Sequence, residues 1–345
     1  MPTGIGPRQG KIFLYLYLRK TTSTHSGKLL LPMNKQRFLL SLIFPCYNEE
    51  KNLDPLLEAV CAELEGFELE LVFVDDGSID ETLGVLRKIA ARDSRVKYVS
   101  FSRNFGHQAA LRCGLEICQG DCCVVLDADL QHPVRVVKTL VEHWEQGSKI
   151  VRTIRLDKGA ESLFKRQTSR WFYELMNRLG LRGLKPGMAD FYLLDREIID
   201  ILKERMKESG LFLRGMLAWI GFEAAEVTYI PDKRLHGLSK YNLVSMLRLA
   251  FTGITAFTTI PLVISGALGA FFLVLCGIYM LYVLYVHFVT GSTVPGWSSL
   301  MIVTLGCNGA TLISLAILGQ YIGLAYLEGK GRPHYLVKER SFSQD

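Results

Sequence analysis

The stretch VVLDADLQHP, residues 124–133, ends an apolar run in two aspartates one residue apart. Strand side chains alternate between faces, so Asp127 and Asp129 point the same way. Like charges on one face repel, and one of the two pKa values rises unless a cation lies between them. The pair is therefore either solvated at a loop or holds a metal. A hard divalent cation takes oxygen ligands, which suits Asp129 and Gln131 with Asp127 close by or near a ribose. Alone, a DxD is weak evidence, because many turns contain one.

What must position these carboxylates is a series of strands alternating with helices from residue 39 onward. LLSLIFP reads as a buried strand, and NLDPLLEAVCAELEG as a helix with Leu53, Leu56, Leu57, Val60 and Leu64 on its apolar face. ELELVFVDDGS, VKYVSFS and DCCVVLDAD read as further strands, with the helices DETLGVLRKIAARD and GHQAALRCGLEICQG between them. Alternation of this kind predicts right-handed crossovers and an α/β domain with a mainly parallel sheet flanked by helices.

Ligands of such sheets bind at the carboxyl ends of the strands. The first strand ends in PCYNEE (45–50), the second in DDGS (75–78), the third in SRNFGHQ (102–108) and the fourth in DADLQHP. One crevice thus gathers Glu49, Asp75, Asp76, Asp127 and Asp129, and so many carboxylates on one rim require a cation among them. Neither a Walker A loop nor a GxGxxG follows the first strand, so a nucleotide's phosphates here would need a metal bridge.

The apolar residues, 49% of 345, are unevenly spread. Residues 262–289 and 298–327 contain no Asp, Glu, Lys or Arg, and each run exceeds the roughly 20 residues that cross a bilayer. Basic residues flank the pair: Lys233, Arg234, Lys240 and Arg248 before it, Lys330, Arg332, Lys338 and Arg340 after it. The positive-inside rule therefore places both termini and the soluble portion, residues 38 to about 240, in the cytoplasm, on a multi-pass protein of the cell membrane. A formal charge of +6 fits anionic lipid better than nucleic acid, for which no reading motif appears. Eight cysteines without CxxC spacing read as reduced thiols.

The expected organisation has five parts: a basic leader over 1–37, a catalytic domain over 38–240, an amphipathic juxtamembrane helix over 241–260, two spans over 261–328 and a cytoplasmic tail over 329–345. The leader carries Arg8, Lys11, Arg19, Lys20, Lys28, Lys35 and Arg37 and no acid, and Met33 reads as a start just before the first strand. In the second span, Gly306, Gly309, Ala310 and Ser314 would let helices pack closely within or between subunits, which is compatible with a homo-oligomer.

In their order, PCYNE, VDDGSID, FSRNFGHQAAL, LDADLQHP, ADFYLLDR, FLRGMLAWIGF and RLHGLSKY, followed by two spans, resemble the polyprenyl-phosphate glycosyltransferases of glycosyltransferase family 2. That family includes dolichol-phosphate mannose synthase and the bactoprenol glucosyltransferases. The resemblance covers residues 38 to about 330 and implies a GT-A nucleotide-diphospho-sugar transferase fold, followed by an interfacial helix and two transmembrane helices. It implies that Pro45, Tyr47 and Glu49 line the nucleoside pocket with Val74 and Asp76. Asp127, Ala128 and Asp129 would face the sugar nucleotide, with Asp129 and Gln131 on Mg²⁺ or Mn²⁺. Arg155 falls near the family's arginine after the next strand. Arg234 and Lys240 would meet phosphate, or else form a lipid-facing basic patch. Asp190 matches the aspartate beside the acceptor, where a turn or cap is the plainer role. The chain departs from the pattern at Tyr192, where many relatives have arginine, and Arg214 is the candidate replacement. His107 and His132 read as hydrogen-bonding walls rather than bases.

The expected reaction is inverting transfer of a hexose, glucose from UDP-glucose, to a polyprenyl phosphate at the membrane face. GDP-mannose is the alternative donor. A processive polysaccharide synthase is a second alternative. QTSRW at Gln167–Trp171 imitates that class's QxxRW, but it precedes ADFYLLDR, and two spans are few for a pore. A non-catalytic membrane adaptor is opposed by the intact DxD and RLHGLSKY.

Overall fold

The first strand, LLSLIFPC, has no polar/apolar alternation because both of its faces are covered, as in the parallel sheets of α/β proteins. The computed structural model describes residues 37–156, 174, 185, 187–206, 213–232, 258–290 and 296–343. The leader, the QTSRW segment, RLHGLSKY and the expected juxtamembrane helix as far as residue 257 lie outside the described residues. In chain order the elements are β1 (Leu39–Cys46), α1 (Leu53–Glu63), β2 (Glu68–Asp75), α2 (Thr82–Arg92), β3 (Val96–Phe101), α3 (His107–Ile117), β4 (Cys122–Val125) and α4 (Val136–Glu145). There follow β5 (Ile150–Arg155), β6 (Met188–Asp195), α5 (Arg196–Arg205), α6 (Leu213–Ile220), β7 (Ala224–Tyr229), α7 (Ile260–Tyr285), α8 (Trp297–Gly329) and β8 (Val337–Arg340).

The strands form one sheet in the order β7-β5-β6-β4-β1-β2-β3-β8. Alternate residues of the central strands supply two cores. Leu40, Leu42, Phe44, Leu71 and Phe73 pack on the face covered by α1, α2 and α4, whereas Ile43, Val72, Val74 and Val99 pack under α3, α5 and α6. The run β4-β1-β2-β3 is parallel, as expected. The sheet as a whole is mixed, because β6 lies antiparallel between β4 and β5, and β8 lies antiparallel on β3. The antiparallel β6 matters for the site: it brings ADFYLLDR alongside the strand that ends in the DxD.

Two helices are long and apolar enough to cross a membrane, over Ile260–Val289 and Val303–Gly329. No residue of α7 is buried. A Cβ at Gly306 would touch Phe272, and the Tyr321 hydroxyl donates to the Thr258 carbonyl at 2.6 Å, so the pair is an antiparallel hairpin with its open ends together.

The residues expected as a cytoplasmic tail, 329–345, include β8. Only residues 330–336 separate α8 from β8, a reach of at most about 25 Å. Arg87 grips the Glu339 carboxylate with Nε (2.8 Å) and Nη2 (2.5 Å), and the Tyr98 hydroxyl donates to it at 2.7 Å. Tyr335 stacks on Phe101 with ring centroids 4.6 Å apart. The chain leaving the apolar hairpin thus completes the edge of the sheet.

Candidate active site

At the carboxyl end of β1, Tyr47 is exposed and Glu49 half-buried, while Pro45 is buried within the strand. The Glu49 carboxylate accepts from Asn52 Nδ2 at 2.5 Å, and its backbone N–H donates to Thr82 Oγ1 at 2.9 Å. Asn48, in the left-handed region at φ 59°, accepts from the Ile79 N–H through its side chain and donates its own N–H to Ser78 Oγ. These bonds tie the loop after β1 to the loop after β2.

The DDGS carboxylates turn inward instead of standing on the rim. Asp75 accepts from the Ser78 N–H at 2.9 Å and the Ser100 hydroxyl at 2.6 Å. Asp76 accepts from the backbone N–H groups of Phe105 (2.7 Å) and Gly106 (2.9 Å). Burial raises the Asp76 carboxyl above its usual range, and those two N–H groups pull it back down. Asp75 therefore ties the turn after β2 to β3, and Asp76 anchors the loop that leads into α3. Gly77 lets this happen: at φ 66° a Cβ would come 2.3 Å from the Arg103 backbone. The side chains of Val74 and Ala128, assigned above to substrate, are closed in the two cores, so only their backbones can face a ligand.

The DADLQHP turn carries the strain. Leu130 sits at φ 63°, uncommon for a residue with a Cβ and favoured at functional turns. That kink lets the Gln131 N–H donate to Asp129 Oδ1 at 3.1 Å. The Gln131 amide oxygen accepts from Arg155 Nη1 at 3.2 Å. His132 is a wall: buried, stacked on Phe191, it accepts the Asp127 N–H at Nδ1 (3.0 Å). Its Nε2 therefore carries the proton, and it lies 3.6 Å from Asp127 Oδ2. Beside the turn, Arg135 makes two bonds to Asp232, whose N–H donates to the Gln131 carbonyl. Arg234 and Lys240, which follow Asp232, lie outside the described residues.

Across the β4–β6 ladder Val124 pairs with Leu193 and Val125 with Tyr192, and the register continued two residues sets Asp127 opposite Asp190. Arg214, from α6, reaches Asp190 through Nη2 to Oδ2 (3.1 Å), with Nε 2.9 Å from Oδ1, and donates from Nη1 to the Met188 carbonyl at 2.8 Å. Gln108 spans the same point. Its Oε1 accepts from the Leu213 N–H at the start of α6, which turns its Nε2 toward Asp190 Oδ2 at 3.3 Å. His107 stands at the opening, with Nε2 3.7 Å from Asp127 Oδ1 and 3.8 Å from Asp190 Oδ2. Tyr192 is buried, and its hydroxyl has no hydrogen-bond partner among the described residues.

The glycosyl transferase family 2 profile matches residues 41–201. Over 87% of its length the chain is 39% identical to the uncharacterised glycosyltransferase YkcC of Bacillus subtilis (strain 168), of which it covers 93%. The chain belongs to glycosyl transferase family 2. The transferase is also 36% identical to the bactoprenol glucosyl transferase of Shigella phage SfX, covering 87% of this chain and 99% of that protein. It is 35% identical to the prophage bactoprenol glucosyl transferase homolog of Escherichia coli (strain K12), covering 87% and 98%. Its fold is thus GT-A, a mixed sheet with flanking helices, and it carries two apolar helices at its C-terminal side.

Sequence reasoning singled out Asp127, Asp129, Asp190, Arg155 and Arg214, and the structure brings them to one end of the sheet. It missed Gln108. The signal was present in SRNFGHQ, but only the start of α6 shows that an amide there can hold two elements at once.

Proposed function

We propose that this transferase moves glucose from UDP-glucose to a polyprenyl phosphate at the cytoplasmic face of the cell membrane, with inversion. The observation that carries this reading is the coupling of crevice and hairpin. The chain leaving α8 is built into the catalytic sheet as β8, so the carboxyl ends of the strands are held near the apolar pair. A polyprenyl tail stays in the bilayer at about 0.8 kcal/mol per CH₂, and an enzyme that uses it must bring the site to the lipid. Relatives called bactoprenol glucosyl transferase align with this chain over nearly their full length.

A divalent cation fits the donor set. Asp127 and Asp129 offer hard carboxylate oxygens, and no group of three His, Cys, Asp or Glu forms a closed cage among the described residues. Magnesium sites of this kind use one or two carboxylates and complete the shell with substrate phosphates and water. Asp129 and Asp127, with Gln131 beside them, would hold the ion, which would supply positive charge against that of the nucleoside diphosphate.

The chain's own residues do the rest. The acceptor phosphate arrives largely as a dianion, its second pKa being about 6, so a strong general base is not needed. The demand is to place two anionic molecules in line. Asp190, gripped by Arg214 and Gln108, holds the guanidinium at the acceptor side. Tyr47 and Glu49 border the nucleoside, and Arg234 and Lys240 supply further positive charge.

The test uses purified protein in detergent with undecaprenyl phosphate, Mn²⁺ and, separately, radiolabelled UDP-glucose, UDP-galactose, UDP-N-acetylglucosamine and GDP-mannose. Label is expected in the organic phase from UDP-glucose, with the anomeric configuration inverted, and absent after chelation or in Asp129→Ala. Label in a water-soluble polymer, or transfer from a different donor, overturns the reading.

A further inference from the structure

The strongest feature left over is His107. It opens α3 between two carboxylates from neighbouring strands, 3.7 Å from Asp127 Oδ1 and 3.8 Å from Asp190 Oδ2. Both separations are too long for direct hydrogen bonds, yet each admits an oxygen about 2.8 Å from the nitrogen and from the carboxylate. The imidazole is 42% exposed, so a ligand can reach that position from solvent.

The chemistry of such an oxygen is restricted. It must accept a hydrogen bond from Nε2–H and donate one to a carboxylate. A phosphate dianion has no proton to donate and would stand against two negative groups. A hydroxyl does both. Asp190 is already oriented from behind by Arg214 and Gln108, and the His132 ring lies 3.6 Å from Asp127 Oδ2, which leaves Asp127 Oδ1 facing His107.

We infer that His107 is a specificity-determining residue that, with Asp127 and Asp190, holds one or two neighbouring hydroxyl groups of the transferred sugar. The position is also where that sugar must pass, between the nucleotide rim at Asp127 and Asp129 and the acceptor side at Asp190 and Arg214. This assignment rests on the donor reading above.

The experiment measures kcat/KM for transfer to undecaprenyl phosphate from UDP-glucose and from its 2-, 3-, 4- and 6-deoxy analogues, for the unaltered chain, His107→Ala and His107→Gln. The unaltered chain is expected to reject one analogue, or two adjacent ones, by at least about 10-fold, as a site built to bond a hydroxyl does. His107→Ala lowers the rate from UDP-glucose and shrinks that discrimination to about 3-fold or less, leaving the other analogues' ratios unchanged. His107→Gln, whose amide nitrogen reaches the Nε2 position, restores part of it. Unchanged UDP binding and thermal midpoint show that the variants are folded. An equal loss from all five donors, or a chain that rejects none of the analogues, overturns the role of His107 while the transfer reaction stands. Absence of transfer from UDP-glucose by the unaltered chain overturns the donor reading, and this assignment with it.

Discussion

Arg214 meets Asp190 at two points, Nη2 to Oδ2 at 3.1 Å and Nε to Oδ1 at 2.9 Å, while its third nitrogen bonds the Met188 carbonyl. One guanidinium thereby joins α6 to β6 at the end of the crevice. The guanidinium makes hydrogen bonds to two acceptors and a close charge contact with a third oxygen, a spread that a compact lysine ammonium does not reproduce.

Arg214→Ala is accordingly expected to lower transfer by about 10²-fold, the range for removing one preorganised charge-stabilising group. Arg214→Lys should recover only a small part of it. Binding of UDP, measured by calorimetry, should stay near its original value in both if, as proposed, Arg214 serves the acceptor. Asp190→Asn should fall with them. If Asp190→Asn turns over normally with an unchanged pH profile, Asp190 has no part in the reaction.

Much of this site was legible in the sequence because its residues are local to strand ends. PCYNEE, DDGS, SRNFGHQ and DADLQHP each end a strand whose apolar run is visible, and parallel order then places all four on one side. What could not be read is direction inside a loop. Asp75 and Asp76 look like rim carboxylates in a string of letters, but Gly77 turns them in toward Ser100 and the N–H groups of Phe105 and Gly106. Equally hidden was β8. Val337–Arg340 reads as charged tail, since VKER has little apolar content, and its strand conformation comes from pairing to β3 and from contacts more than two hundred residues away.

Tyr192 provides a second test. Its position is the one where an arginine was expected, but the ring is buried and the hydroxyl has no hydrogen-bond partner. Burial holds that hydroxyl well above its usual pKa, so it stays neutral at any working pH. An unpartnered buried hydroxyl costs about 1–3 kcal/mol. Tyr192→Phe should therefore match or exceed the original stability in thermal unfolding, with transfer unaltered. A loss of transfer in a well-folded Tyr192→Phe would mean that the hydroxyl meets substrate.

Leu130 isolates the strain in the DxD turn. A left-handed conformation costs a residue with a Cβ about 1–2 kcal/mol, and more when the side chain is β-branched. Leu130→Gly relieves that cost while losing contacts with the core, so its stability should lie within about 1 kcal/mol of the original. Leu130→Val keeps more of the side chain yet should be the less stable of the two in denaturant unfolding. Equal midpoints for the two variants would show that φ at this position carries no strain.

The contact of β8 with the sheet predicts a pH dependence. Arg87 and the Tyr98 hydroxyl hold the Glu339 carboxyl at about 2, against about 4.3 for a free glutamate. A depressed acid stabilises the folded form at every pH above its unfolded value, and the contribution disappears as pH falls toward the folded value. The window is therefore about pH 4.3 down to 2. Arg87 is exposed and Glu339 half-buried, so solvent screens the pair and its worth is modest. In Glu339→Gln the thermal midpoint should be lower than in the unaltered chain at pH 7, and the two should converge below about pH 3. Chymotrypsin should also cut the segment around Tyr335 faster in the variant at neutral pH, as the strand leaves β3 more often. A midpoint difference that stays constant from pH 7 to pH 2 would assign the effect of the substitution to packing alone, and the ion pair would have no part in fastening the apolar hairpin to the catalytic sheet.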